Sequence, residues 1–192
     1  PAFGQFCDAE VNSSSPAFQS RFGNSVCARV NNAIVGAPEE GLGLGCPSGT
    51  ETGGAAYIFE LQNGSWVETA RLVSPNAECG GEFGYDVAIS GDFAVVGAPF
   101  EHVAGVADAG RAYVYQKIAG SWTLLTTLEE ITTFGGSRFG HSVDMLGPRL
   151  AVGAIRSNFF GTSAGAVYIY RAQSGQWIFE DRVGPNPPSP GG

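Results

Sequence analysis

The chain has 192 residues, with 18 acidic against 10 basic side chains and a formal net charge of −8 at neutral pH. That balance argues against nucleic acid, whose binding rests on Lys and Arg neutralising phosphates. It also argues against an anionic membrane surface, and its plain physical role is solubility. Hydrophobic residues make up 43% of the chain, enough for a packed core, but no 18-residue apolar run is present to form a transmembrane helix.

The chain begins at Pro1 and shows no charged-apolar-small leader, so it reads as a processed or excised segment from which any signal peptide is gone. Its 29 Gly, 13 Phe, 6 Tyr and 3 Trp are spread along the whole length. Glycine turns mixed with aromatic and β-branched runs point to an all-β fold, and no segment has helix periodicity.

Taken in chain order, four landmarks recur three times. The first unit has Phe22-Gly23-Asn24-Ser25-Val26, then Gly36-Ala37-Pro38, then the aromatic run Ala55-Ala56-Tyr57-Ile58-Phe59, then Trp66. The second has Phe83-Gly84-Tyr85-Asp86-Val87, Gly97-Ala98-Pro99, Arg111-Ala112-Tyr113-Val114-Tyr115 and Trp122. The third has Phe139-Gly140-His141-Ser142-Val143, Gly153-Ala154-Ile155, Ala166-Val167-Tyr168-Ile169-Tyr170 and Trp177. The second landmark always begins 13 residues after the glycine of the first, and 17 residues separate both Trp66 from Phe83 and Trp122 from Phe139.

Each unit therefore holds four short strands. In the second, residues 85–90 alternate, 93–97 form a continuous apolar run with both faces buried, 111–116 alternate again, and 122–128 are apolar at alternate positions. Turns at Ser90-Gly91-Asp92 and Ile118-Ala119-Gly120-Ser121 separate them. Four antiparallel strands in about 55–60 residues make a propeller blade rather than a helical solenoid. A plain β-sandwich explains alternating strands but not three matching units.

Phe-Gly, Gly-Ala-Pro, an aromatic strand and Trp, in that order, resemble the FG-GAP repeat, and the resemblance covers residues 5–183. It implies a β-propeller-like architecture and an extracellular or cell-surface place for the chain. The expected fold is three four-stranded antiparallel blades, at residues 21–72, 82–128 and 138–183, plus one orphan N-terminal strand at 5–11. The orphan follows from counting back 17 residues from Phe22, which aligns residues 5–11 with the outer strands that begin at Trp66, Trp122 and Trp177. Residues 184–192 form a Pro-rich tail or tether.

In this frame the repeat residues Phe22, Gly23, Gly36, Pro38, Phe83, Gly84, Gly97, Pro99, Phe139, Gly140 and Gly153 are structural. The glycine after each Phe is expected to turn the chain into an inner strand near the crowded axis. The Phe is expected to pack between blades, the Pro to end the second strand, and each Trp to cap its outer strand against the next blade. Ile155 replaces the Pro in the third unit, which predicts a looser strand exit.

Four cysteines, at 7, 27, 46 and 79, form no C-x-x-C pair, so zinc is disfavoured and disulfides in an oxidising compartment are expected. Four cysteines allow three connectivities. Cys46 and Cys79 fall in loops that share one face of a propeller, which makes them the preferred pair and leaves Cys7 with Cys27. Sequons at Asn12 and Asn63 agree with secretion.

The resemblance raises calcium as a ligand, because many FG-GAP blades carry an Asp-x-Asp-x-Asp-Gly loop after the GAP. Here that loop is absent: the first unit offers Glu39, Glu40, Thr50 and Glu51, the second Glu101 and Asp108, the third none. No cofactor is therefore expected, with Ca2+ as the alternative. The two histidines, His102 and His141, belong to no nucleophile–base motif, so no enzyme activity is expected.

Three blades do not close a ring. Open faces must be covered by further blades, by copies closing a ring, or by copies stacked head to tail in a filament. The leading expectation is thus a secreted, non-enzymatic assembly module that associates with itself. The alternatives are an adhesion or glycan-recognition propeller, with its ligand on loops 38–54, 99–110 and 155–164, or a non-catalytic domain of a larger secreted protein.

Overall fold

A computed structural model describes residue 14 and residues 19–46, 52–130 and 135–185. The expected orphan strand at 5–11 and most of the tail lie outside these residues. The described chain is built of strands and turns without a helix, so no helix is long and apolar enough to cross a membrane. Blade 1 comprises β1 (Val26–Arg29), β2 (Asn32–Ala37), β3 (Ala55–Gln62) and β4 (Ser65–Leu72). Blade 2 comprises β5 (Val87–Ser90), β6 (Phe93–Ala98), β7 (Arg111–Ile118) and β8 (Ser121–Leu128). Blade 3 comprises β9 (Phe139–Leu146), β10 (Arg149–Ala154), β11 (Ala166–Gln173) and β12 (Gln176–Val183). Each blade is one antiparallel sheet with its strands in chain order.

The turns explain why the strands pair in this way. The third and fourth strands of each blade are joined by two residues, both at positive φ: Asn63-Gly64, Ala119-Gly120 and Ser174-Gly175. Two positive φ values in a two-residue loop match the twist of the flanking strands, which favours a tight hairpin. Each blade also carries one bulge in the pairing of its third and fourth strands, between Ile58 and Phe59, Val114 and Tyr115, and Ile169 and Tyr170. One extra residue on the outer strand shifts every later residue to the opposite face of the sheet.

Every blade has a front, facing the preceding blade, and a back, facing the next. Seam 1–2 packs Phe83, Val87, Ile89, Val96, Tyr113 and Tyr115 of blade 2's front on Ile34, Ala56, Ile58 and Leu72 of blade 1's back. Seam 2–3 packs Phe139, Val143, Met145, Leu150, Tyr168 and Tyr170 on Ala88, Val95, Ala112, Val114 and Leu128. Burial of this apolar area is the main force joining the blades.

At the inner end of each seam the backbones touch. A Cβ on Gly36 would lie 2.0 Å from the Gly84 carbonyl oxygen, and one on Gly97 would lie 2.0 Å from that of Gly140. Gly84, at φ +92°, faces back: its Cβ would lie 2.2 Å from the Ala55 oxygen. The Phe83 N–H donates to the Gly53 carbonyl at 3.1 Å, and Phe139 N–H to Ala109 at 2.9 Å. The repeat glycines therefore do more than turn the chain. They let one blade's backbone hydrogen-bond along the next.

Two expectations change. Trp122 packs into seam 1–2, and Trp177 meets Phe93 of blade 2 edge-on at 5.7 Å. Trp122 and Trp177 thus seal their blades against the preceding blade, not the next. The cause is register: Trp122 pairs with Lys117, two residues beyond Tyr115 on the same face of β7. Second, β10 ends at Ala154, matching Ala37 and Ala98 in the other blades, although Ile155 stands where they have Pro. The sheet stops there without proline.

Candidate functional site

The front of blade 1 has no described blade against it. It forms an open apolar hollow of about 370 Å³ lined by Phe22, Ala28, Ala33, Val35, Phe59 and Trp66. These residues occupy the positions that blades 2 and 3 bury within seams. Phe22 stacks edge-on with Tyr57 at 5.4 Å, as Phe139 does with Tyr168 at 5.2 Å, yet Phe22 is 41% exposed and Phe139 is 0% exposed. Gly23 shares the φ of Gly84, at +93°, but a Cβ there would meet nothing within 4 Å.

A polar relay runs through both seams near their inner ends. Ser25 donates its hydroxyl to Asp86 Oδ1 at 2.5 Å and accepts the Val87 N–H at 3.2 Å. Asp86 Oδ2 then accepts the Val143 N–H of blade 3 at 2.7 Å. Farther out, Lys117 of blade 2 bridges to Glu60 of blade 1 at 2.8 Å. That hydrogen bond, ahead of an opposing burial effect, holds the Glu60 carboxyl below its ordinary value.

Each blade also buries a glutamate against the first tyrosine of its aromatic strand. Tyr57 donates to Glu40 at 2.5 Å, and Arg71 closes the group from Nε at 2.9 Å. In blade 2 Tyr113 donates to Glu101, and the Ser74 hydroxyl lies 3.0 Å from the Tyr113 oxygen. In blade 3 Tyr168 donates to Glu130, which also accepts from Ser157. Glu101 and Ser157 occupy the same place after the second landmark, and Ser74 and Glu130 the same place before the Phe-Gly. Blades 2 and 3 have thus exchanged a glutamate and a serine while keeping one carboxylate and one hydroxyl on the tyrosine.

Burial pushes the Glu101 carboxyl above its ordinary 4.5, outweighing hydrogen bonds from Ser74, Tyr113 and Arg111. Burial likewise pushes Tyr168 up to about 12, aided by its hydrogen bond to Glu130. A carboxyl that holds its proton more tightly when folded contributes stability that is fully present below 4.5 and is lost as pH rises through the folded value. We predict that the melting temperature of the wild type, measured relative to Glu101→Gln, falls as pH rises from 4 to about 7. A pH-independent difference would contradict that assignment.

The other sequence candidates are accounted for as follows. Cys46 and Cys79 form a disulfide with Cα atoms 5.7 Å apart, tying the β2–β3 loop to the linker between blades 1 and 2. Cys27 is a free thiol with its Sγ 3.9 Å from the Ile89 carbonyl oxygen inside seam 1–2. Its expected partner Cys7 lies outside the described residues, as do Asn12, Thr50 and Glu51. Asn63 is exposed at the β3–β4 turn.

Of the candidate calcium residues, Glu39 pairs with Arg21 at 3.1 Å, Glu40 with Arg71, and Glu101 with Arg111 at 3.1 Å. Among the described residues no group of three His, Cys, Asp or Glu is placed to hold a metal ion. His102 lies 2.9 Å from Glu78, and His141 stacks on Tyr85 at 4.8 Å with its pKa lowered by burial and by Arg138. The glutamate–tyrosine groups are what sequence reasoning missed, although Glu40 and Glu101 share a repeat position and carried the signal.

Residues 66–115 and 133–170 match the family model of the FG-GAP repeat. The chain is similar to human integrin alpha-E, at 33% identity over 139 residues, 62% of this chain and 11% of that protein. It is similar to mouse integrin alpha-E at 34% over 138 residues, 62% of this chain and 12% of that protein. The chain thus spans about a tenth of the length of these relatives.

Proposed function

We propose, for a chain that belongs to the FG-GAP repeat family, that it is an extracellular, non-enzymatic interaction module of the adhesion type, and that it associates with copies of itself through an open blade face. The observation that carries this reading is the front of blade 1. Phe22, Ala33, Val35, Phe59 and Trp66 form the same apolar surface that blades 2 and 3 bury in their seams, but here it lines an open hollow. An open apolar sheet face of this kind marks an interaction site, and the two seams of the chain show the chemistry that covers such a face. The Cys46–Cys79 disulfide suits an oxidising compartment, and the exposed Asn63 sequon fits glycosylation there.

Sedimentation velocity over a range of concentrations tests the reading. The wild type is expected to gain mass with concentration. Val35→Glu sets a carboxylate in the middle of the hollow and is expected to weaken self-association by at least about tenfold. A wild type that stays monomeric at every concentration, or an unaffected variant, would overturn the reading.

A further inference from the structure

The chain itself approaches the front of blade 1. Ser14 donates its N–H to Glu68 Oε2 at 2.7 Å and its hydroxyl to Glu68 Oε1 at 2.6 Å. Glu68 lies directly opposite Phe59 in the pairing of β3 with β4. Residues opposite each other in an antiparallel pair share a face. Glu68 is therefore on the front, on the same side as the Phe59 and Trp66 that line the hollow. Two bonds to one carboxylate hold residue 14 beside that hollow.

Residues 9–13 lie outside the described residues, but the repeat gives them counterparts. Ser13 stands nine residues before Phe22, as Ser74 stands before Phe83 and Glu130 before Phe139. Both counterparts bond the first tyrosine of the blade that follows. The Ser74 hydroxyl lies 3.0 Å from the Tyr113 oxygen, and Glu130 accepts from Tyr168. By the same count Ser13 belongs to Tyr57. Its chemistry fits that place. Glu40 supplies the carboxylate to Tyr57, as Glu101 does to Tyr113. A hydroxyl beside it, rather than a second carboxylate, completes the set that blades 2 and 3 carry.

Two apolar positions extend the match. Val11 holds the place of Leu72 and Leu128, and Ala9 that of Ala70. Ala70 and Leu72 lie in seam 1–2 and Leu128 in seam 2–3, each against the front of the following blade. The surface that receives them contains the phenylalanine of the Phe-Gly, the aromatic strand and the tryptophan. In blade 1 those residues are Phe22, Phe59 and Trp66, the walls of the hollow.

We infer that residues 9–13 form a strap over the front of blade 1, with Ser13 donating to Tyr57 and with Ala9 and Val11 on the hollow, and that a second copy gains this face only where the strap lifts. The second half of the inference rests on the docking reading of blade 1. Strap and partner compete for one aromatic surface, so the affinity between copies is scaled down by the fraction of molecules whose face is clear.

Ala9→Glu with Val11→Glu in the full chain would set two carboxylates on that surface, which releases the strap. Tryptophan emission, read at a concentration where copies are apart, reports the strap alone. Trp66 lines the hollow, whereas Trp122 and Trp177 pack in seams. The emission of the variant is expected to move to longer wavelength. Sedimentation velocity then reads the competition. The variant is expected to associate at least about tenfold more tightly than the wild type, and adding Val35→Glu is expected to remove the gain. An unmoved emission would overturn the inference. So would a moved emission with association no tighter than that of a wild type that Val35→Glu still weakens. Failure of the docking reading is seen separately, as wild-type association that Val35→Glu leaves unchanged.

Discussion

Gly84→Ala is expected to cost about 3–5 kcal/mol and to lower the melting temperature by about 10 °C or more. The new methyl would lie 2.2 Å from the Ala55 oxygen and 3.2 Å from the Ala37 nitrogen, both backbone atoms of blade 1. Neither yields without opening the seam that buries Phe83 and Tyr113. Backbone strain adds to this, because φ is +92°. Gly23→Ala separates the two effects. It imposes the same strain at φ +93° but has nothing within 4 Å to strike, so it is expected to cost only about 1–2 kcal/mol. Urea denaturation of the two variants measures the difference. Equal losses would show that close approach of the blades contributes nothing.

The second large effect concerns the exchanged glutamate and serine. Glu101→Ser is expected to cost about 3–5 kcal/mol, because Glu101 is 0% exposed and accepts from both Tyr113 and Arg111. Without it Arg111 keeps only Glu129, at 2.8 Å, and Tyr113 keeps Ser74 and Asn76. Adding Ser74→Glu places the carboxylate where blade 3 has Glu130. The double variant is expected to recover about 1–3 kcal/mol of the loss. Blade 2 would then carry blade 3's arrangement. A double variant no more stable than Glu101→Ser would mean that the two groups are not interchangeable.

The blades were legible in the sequence because their markers act locally or at the seams. Gly36, Gly84, Gly97 and Gly140 stand where a side chain would strike a neighbouring backbone, and Phe83 and Phe139 fill the seams beside them. The glutamate–serine exchange was harder to read. Its members sit at different offsets in the repeat, one before the Phe-Gly and one after the second landmark, and they meet only when two blades pack. The charge on the back of blade 3, at Asp144 and Asp181, was hidden by a bulge. Strict alternation from Trp177 puts Asp181 on the front of the sheet, and only the irregularity between Ile169 and Tyr170 turns it to the back beside Ile169. The face taken by Trp122 and Trp177 is not legible in the sequence for a related reason. Which face a residue on an outer strand shares with Tyr113 or Tyr168 depends on register, and a strand's own sequence does not state its register.

The front and the back of the described segment are therefore unlike. Blade 1 presents Val35, Phe59 and Trp66, and blade 3 presents Asp144, Arg171 and Asp181. Hydrogen–deuterium exchange at low and high protein concentration reads the blade 1 face directly. The account predicts that amides of β1 and β2, Val26–Ala37, gain protection as concentration rises. No concentration dependence at β1 and β2 would contradict it.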